Sequence, residues 1–370
     1  MLLVPDDVPD DVWREIGQMA VSSLAALFEL WTVCRQFRRA FSQPLMLSRF
    51  PVRLDEPAQL AHLGSLGARL KSVQFNHASN SNFESILLPT TLTSLNLKHC
   101  RVSARGLTSA LRGLSQLTEL NVDGCFGLEN MKALMHLPLV SLVIGCGHRD
   151  HFWDADEVLP ALPALRSLDL NSMGLCANTF DREGSESPCV AAMSRLTNLH
   201  TLILEGADLH DREFAKLSPL SLTLRTLCVA NTKITDHSAG VLSEFVWLEN
   251  LSVDNCQLST LSFRAICTLV NLRGLFASNC PEMVCDASLP AIEALIHLET
   301  LDISFNSVKR FEPLYTLRKL CVLDATQCHM AEDQWDMEEE ARRALCTHVP
   351  GLLMRCVDSR QHMRPLRNFG

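Results

Sequence analysis

A nine-residue pattern returns eleven times along this chain, and its return leaves few folds open. The clearest copy is Leu248-Glu249-Asn250-Leu251-Ser252-Val253-Asp254-Asn255-Cys256. Close matches run from Leu92 to Cys100, Leu117 to Cys125, Leu272 to Cys280, Leu298 to Asn306 and Leu320 to Cys328. Weaker copies start at Leu70, Leu139, Leu165, Leu199 and Leu224. The clear copies hold apolar residues at positions one, four and six, and Cys or Asn at position nine. Positions four and six are two apart, the period of a strand with one buried face. Successive first leucines lie 22, 25, 22, 26, 34, 25, 24, 24, 26 and 22 residues apart. A unit this short cannot bury its apolar side alone and must stack against the next.

Between the copies lie amphipathic stretches. Gly106 to Leu114 spaces its apolar residues by three and four, as a helix does. Thr235-Asp236 ahead of 239–245 supplies a helix N-cap. Each turn is therefore expected to run strand, loop, helix, with the helices outside. Cys100, Cys125, Cys256, Cys280 and Cys328 all fall at position nine, where a buried thiol serves as a small apolar group with a weak donor.

This pattern resembles the leucine-rich-repeat proteins, in their cysteine-containing form, over about three quarters of the chain. The resemblance implies an α/β leucine-rich-repeat solenoid, a horseshoe with a parallel β-sheet on its concave face, preceded by a small helical N-terminal module. The expected organisation is that module at 1–50, a transition at 51–69, about eleven repeats at 70–330, a helix and cap at 331–357, and a disordered tail at 358–370. Within 331–357 a helix is expected from Glu332 to Cys346, followed by a closing edge strand around 349–354. The longest spacing holds an insertion at 176–189, whose Asp181 to Pro188 run cannot bury an apolar face and is expected to be a mobile loop.

The first fifty residues do not follow the repeat. Pro9, Asp10 and Asp11 suit the first turn of a helix, and Val12, Ile16 and Met19 then share one face. Val8-Pro9, Ile16, Val33-Cys34, Phe37 and Arg38-Arg39 match the pattern of an F-box, and the segment resembles that three-helix module. The resemblance implies docking onto a Skp-type adaptor protein of a cullin ubiquitin ligase. Val8, Pro9, Ile16, Leu24, Leu27, Val33 and Cys34 would form that surface. The alternative is a helical cap over the open end of the array.

Composition narrows the function classes. With 33 Lys and Arg against 42 Asp and Glu the formal charge is −9, which argues against a nucleic-acid binder. Met1 to Asp7 shows no secretory signal, and no window approaches the ~20 apolar residues of a membrane span. Fifteen cysteines, several at buried repeat positions, point to a reducing compartment, so an intracellular protein of cytoplasm or nucleus is expected. No phosphate-binding loop, nucleophile elbow or zinc-protease motif is present. Cys146, His148 and His151 are close in sequence, but no second Cys/His pair completes a metal site. Neither catalysis nor a metal nor a cofactor is expected.

Recognition is then the expected chemistry, on the face formed by positions five and seven, which point away from the core. Those positions carry Asp123, Asp169, Glu205, Asp254, Asp302 and Asp324 against the single ammonium of Lys98, with apolar points at Ile203 and Phe276. An acidic face with exposed apolar anchors suits a protein target, possibly basic. The resulting expectation is a non-catalytic adaptor, the substrate-recognition subunit of a cullin-type ligase. A repeat scaffold without a ubiquitin role is the alternative, and a GTPase-activating repeat protein is a more distant one.

Overall fold

The computed structural model describes residues 52–54, 70–75, 83, 87–125, 131–145, 154–171, 188–328 and 339–355. The proposed docking residues Val8 to Cys34, the cluster from Cys146 to His151, most of the 176–189 insertion and the tail from 358 lie outside these. The chain divides into two compact units between Leu199 and His200.

Every repeat copy forms a strand over its positions three to five. In the first unit these are β1 (Val52–Leu54), β2 (Ser72–Phe75), β3 (Ser94–Asn96), β4 (Glu119–Asn121), β5 (Ser141–Val143) and β6 (Ser167–Asp169). They pair in parallel, in chain order. The second unit holds β7 (Thr201–Ile203), β8 (Thr226–Cys228), β9 (Asn250–Ser252), β10 (Gly274–Phe276), β11 (Thr300–Asp302), β12 (Val322–Asp324) and β13 (Leu353–Arg355), again parallel and in order. Strand β1 precedes the first copy, and β13 stands where the sequence predicts a closing edge strand. The register aligns the fourth-position leucines, Leu202 through Leu227, Leu251, Leu275, Leu301 and Leu323, all buried.

Helices stand where the stretches at 106–114 and 239–245 predict them, and several other connections are shorter. They include α1 (Ala104–Leu111), α2 (Ala155–Val158), α3 (Pro188–Met193), α4 (Asp211–Ala215), α5 (Ala239–Glu244) and α6 (Thr260–Ile266), with α7 (Glu339–His348) after the last repeat. Lys132–His136, Leu289–Ala294 and Glu312–Thr316, in turns of 22, 26 and 22 residues, are 3-10 segments instead. A 3-10 helix rises about 2.0 Å per residue. No helix among the described residues is long and apolar enough to cross a membrane.

In six repeats a Cys or Asn at position nine closes the turn. Its thiols donate back to the sixth-position carbonyl of the preceding repeat: Cys100 to Phe75 at 3.7 Å, Cys125 to Leu97 at 3.0 Å, Cys256 to Val229 at 3.1 Å, Cys280 to Val253 at 3.3 Å and Cys328 to Ile303 at 3.1 Å. Asn306 does the same through Nδ2, which reaches Ala277 O at 2.7 Å and Ile303 O at 2.8 Å, while its Oδ1 accepts from Cys280 N. Each contact satisfies a carbonyl that the stack removes from water. Burial pushes the thiols of Cys125, Cys256 and Cys328 up to about 12 and that of Cys280 to about 11, so they stay protonated donors.

Position eight turns the chain out of the strand with left-handed backbone. His99, Asn231, Asn255, Asn279, Phe305 and Gln327 have φ between +52° and +59°, and Gly124 and Gly206 have +68° and +71°. Asn and Gly suit that region, and a phenylalanine does not. In the second unit these side chains also bond in a row. Asn279 Nδ2 donates to Asn255 Oδ1 at 2.9 Å, Asn255 Nδ2 to Asn231 Oδ1 at 3.0 Å, and Asn231 Nδ2 to Glu205 Oε1 at 3.1 Å.

Carboxylates at the starts of the connections clip one turn to the next. Asp211 accepts from Thr235 N, Thr235 Oγ1 and Ser238 Oγ, and Asp236 accepts from Ser259 N, Ser259 Oγ and Ser262 Oγ. Asp286 accepts from Lys309 N and Arg310 N. Thr235 caps its own turn as expected, through His237 N, but the sequence reading missed that Asp236 serves the following repeat.

Two stability outcomes follow from these positions. Cys280→Ala should cost about 1–2 kcal/mol through an unpaired carbonyl and a small void, whereas alanine at the exposed Cys321 should change almost nothing in a urea titration. Phe305→Asn should raise stability by about 1 kcal/mol by relieving the left-handed backbone, and a loss instead would mean that the half-buried ring contributes more than the backbone costs.

Candidate functional site: the strand face

Strand pairing decides which side chains share the outer face. In the second unit the fifth-position row runs Ile203, Cys228, Ser252, Phe276, Asp302, Asp324. Glu205 and Asp254 stand two residues further along their chains. Asp123 and Asp169 belong to the first unit, where Asp169 pairs in register with Val143. All eight expected target-binding residues are half-buried rather than fully exposed.

The face is less open than the alternation implies. Cys228, Ser252, Ala230, Ser304 and Thr326 sit at positions five and seven yet are buried. These side chains are small, and strands only about 4.8 Å apart let larger neighbours cover them. Gly145 shows the limit of that crowding, since a Cβ there would lie 1.7 Å from Asp123 Oδ1.

Several of the polar side chains also have a structural task. At position five, Asn96, Asn121, Asp169, Asp302 and Asp324 each accept from the backbone N–H two residues on, at 2.8 to 3.1 Å. This local bond satisfies a donor where the strand ends. Asp254 works between strands, accepting from Ser252 Oγ at 2.7 Å and Ser278 N at 2.8 Å. Asp123 is paired with Lys98 at 2.8 Å, which cancels the charge at that point.

Electrostatics are most unusual at Asp302. Burial pushes its carboxyl up to about 6, its bonds from Ser304 N and Oγ oppose the shift, and the Asp324 and Asp254 charges add to it. Asp302 and Asp324 are direct register partners, a like-charge pair across neighbouring strands. Such a pair is destabilising where it stands. Ile203 and Phe276 supply apolar surface in the same row. Among the described residues no group of three or more His, Cys, Asp or Glu side chains could hold a metal ion.

Sequence reasoning passed over Phe305. It holds left-handed backbone where the adjoining repeats place Asn279 and Gln327, and the signal was a phenylalanine at a position given mostly to Asn and Gly.

Opposite pH responses distinguish the two kinds of carboxylate. Asp302 has its folded pKa raised from 3.8 to about 6, so the folded state binds the extra proton between those values and stability is lost as pH rises through that window. Asp302→Asn should abolish that loss, which amounts to about 2–3 kcal/mol in urea midpoints compared at pH 4 and pH 7. At Asp211, burial alone would raise the carboxyl, but bonds from Ser238 and Thr235 hold it below its ordinary 3.8. At Asp236 burial is likewise outweighed, by Ser259 and Ser262. Their contribution is present above pH 4 and disappears on further acidification, the reverse sign.

No family model matches the chain, and no curated protein matches it. Solved structures do resemble it. An internalin (InlF) of Listeria monocytogenes is 16% identical, with 80% of this chain and 82% of that one covered and a TM-score of 0.49. A leucine-rich-repeat protein of Leptospira interrogans, LIC12759, is 14% identical over 84% and 91%, with a TM-score of 0.46. The mouse RP105/MD-1 complex gives 17% identity over 78% of this chain and 50% of the other, with a TM-score of 0.48. These likenesses concern fold alone. The stacked parallel strands, the aligned leucines and the buried ninth position make this chain an α/β leucine-rich-repeat solenoid.

Proposed function

We propose that the chain is a non-catalytic protein-interaction adaptor, the substrate-recognition subunit of a cullin-type ubiquitin ligase, working inside the cell. Its strand face holds a protein target, and residues 1–50 hold a Skp-type adaptor. The observation that carries the recognition half is the Asp302–Asp324 pair. Two carboxylates in register, one with its pKa raised to about 6, cost the fold stability that asparagine at position five would not. A sequence keeps such a cost where the charge serves something other than folding. With Asp254 nearby and Glu205, Ile203 and Phe276 further along the same face, the surface suits a basic protein segment carrying apolar side chains.

The adaptor half rests on the F-box pattern of Val8-Pro9, Ile16 and Val33-Cys34. The described cysteines are all free, in keeping with a reducing compartment. The chain would act by raising the effective concentration of a target lysine near a separately bound conjugating enzyme.

Affinity purification from cells tests both halves. The whole chain should co-purify a Skp-type adaptor, and Pro9→Ala with Ile16→Ala should lose it while keeping the target. Glu205→Lys with Phe276→Ala should do the opposite. If no such adaptor is captured at all, the ubiquitin role falls and a repeat scaffold is left.

A further inference from the structure

One edge of the second unit carries apolar surface that the repeat does not require. Two residues before the first leucine of four consecutive turns stand Leu222, Val246, Val270 and Ile296, exposed by 71%, 46%, 49% and 58%. Trp247 lies beside them, 49% exposed, with the Arg225 guanidinium 5.2 Å from its ring centre. The cause of the exposure is local geometry. Backbone bonds from Leu248 N to Phe245 O, Leu272 N to Leu269 O and Leu298 N to Leu295 O close tight turns, at 3.0, 3.0 and 2.9 Å. The residue after Phe245, Leu269 and Leu295 is thereby forced outward at the corner, and Leu222 lies within a turn closed from Leu224 N to Leu220 O at 3.0 Å. Polar residues suit such a corner, and other turns supply them: Thr90, Ser115, Thr197 and Arg318 occupy the same position and are exposed, as is Pro163, while Leu137 is buried there. Among the described residues the exposed aliphatic run is confined to these four turns, which at strand spacing makes a stripe about 15 Å long.

Three residues further along each turn runs a second row, Arg225, Glu249, Arg273 and Glu299. Its members alternate in sign and bond along the row, Arg225 to Glu249 at 4.0 Å, Arg273 to Glu249 at 3.9 Å and Arg273 to Glu299 at 2.7 Å. Reversing the order of plus, minus, plus, minus gives minus, plus, minus, plus. The row is therefore complementary to itself when two copies are laid antiparallel, and the stripe is too, with Leu222 meeting Ile296 and Val246 meeting Val270.

We propose that this edge is the interface of a two-fold homodimer, the occupant being a second copy of the chain laid antiparallel on the Leu222–Ile296 stripe. A two-fold axis requires a patch that matches its own reverse, and both rows meet that condition. The apolar stripe gives the association, and the charge rows fix direction and register. Arg225 then faces Glu299 of the partner copy, and Glu249 faces the partner's Arg273. A contact of this length is small, so the dimer forms at micromolar rather than nanomolar concentrations.

Sedimentation velocity on the full chain, from about 1 to 200 μM, tests the proposal. The unaltered chain should pass from monomer to dimer across that range. Val246→Asp with Val270→Asp should raise the dissociation constant at least about tenfold with thermal unfolding little changed, since both side chains are exposed at the corners. Glu299→Arg alone and Arg225→Glu alone each set like charges opposite one another and should also weaken the dimer. Mixed in equal amounts, those two variants should restore it, because each charge then meets its opposite. A loss of fold in either variant cannot produce that rescue, and thermal unfolding of each variant alone establishes that both are folded before they are mixed. A chain that stays monomeric to 200 μM overturns the proposal. So does a dimer that the aspartates leave intact, or one that mixing the charge variants fails to restore.

Discussion

Stacking in this protein depends on a carbonyl that the stack itself takes out of water. Each strand is only three or four residues long, so the chain leaves the ladder almost at once and its sixth-position C=O ends up under the next turn. Left unpaired, such a carbonyl would cost about 1–3 kcal/mol, although Leu97, Val122 and Leu204 also accept from the backbone N–H three residues on. A ninth-position Cys or Asn removes that cost from one repeat away, whereas Ala207 at the same position has no side-chain donor. Thiol and carboxamide are both short enough to fit and both able to donate, which is why Cys328 and Asn306 do the same job in adjoining turns. Leucine burial supplies the driving force, while this contact makes the nine-residue spacing specific.

The strand half of each repeat was legible because its signal is periodic. Leu248, Leu251, Val253 and Cys256 are fixed by burial, and burial repeats with the backbone. The connecting half was legible only in outline. The connections range from the eight-residue α1 down to single turns and 3-10 segments, and Pro290 and Pro313 suit the last form by occupying first-turn positions. The clips made by Asp211, Asp236 and Asp286 could not be read from one sequence. Each aspartate looks like part of its own turn and serves the next one.

The same difficulty affects the strand face. Residue type supplied the expectation of an acidic face, yet the alternation of strand residues says nothing about what covers a side chain across a 4.8 Å gap. Ser252 and Ala230 are hidden for that reason, and Asp302 and Asp324 each hold the backbone N–H two residues away. A polar residue on this face can thus be structural, recognitive or both. Asp302 separates the two roles. Asparagine meets the structural need at Asn96 and Asn121, so the backbone bond does not explain why charge is kept beside Asp324. What the bond leaves unexplained is the part that the proposed recognition would use.

The two ends of the strands in the second unit are governed by different constraints. Where strands finish, left-handed backbone selects Asn231, Asn255 and Asn279, whose carboxamides then bond to one another and leave little free valence for anything else. Where strands begin, the tight turn demands only that its corner residue point outward, and it places no demand on chemistry. A position the fold does not specify reports other requirements more directly. Leucine, valine, valine and isoleucine at four successive corners, beside charges that alternate in sign, meet no need of the stack beneath them. Exposed aliphatic surface lowers solubility and gains the fold nothing. Its confinement to one run of turns places the cause outside the repeat.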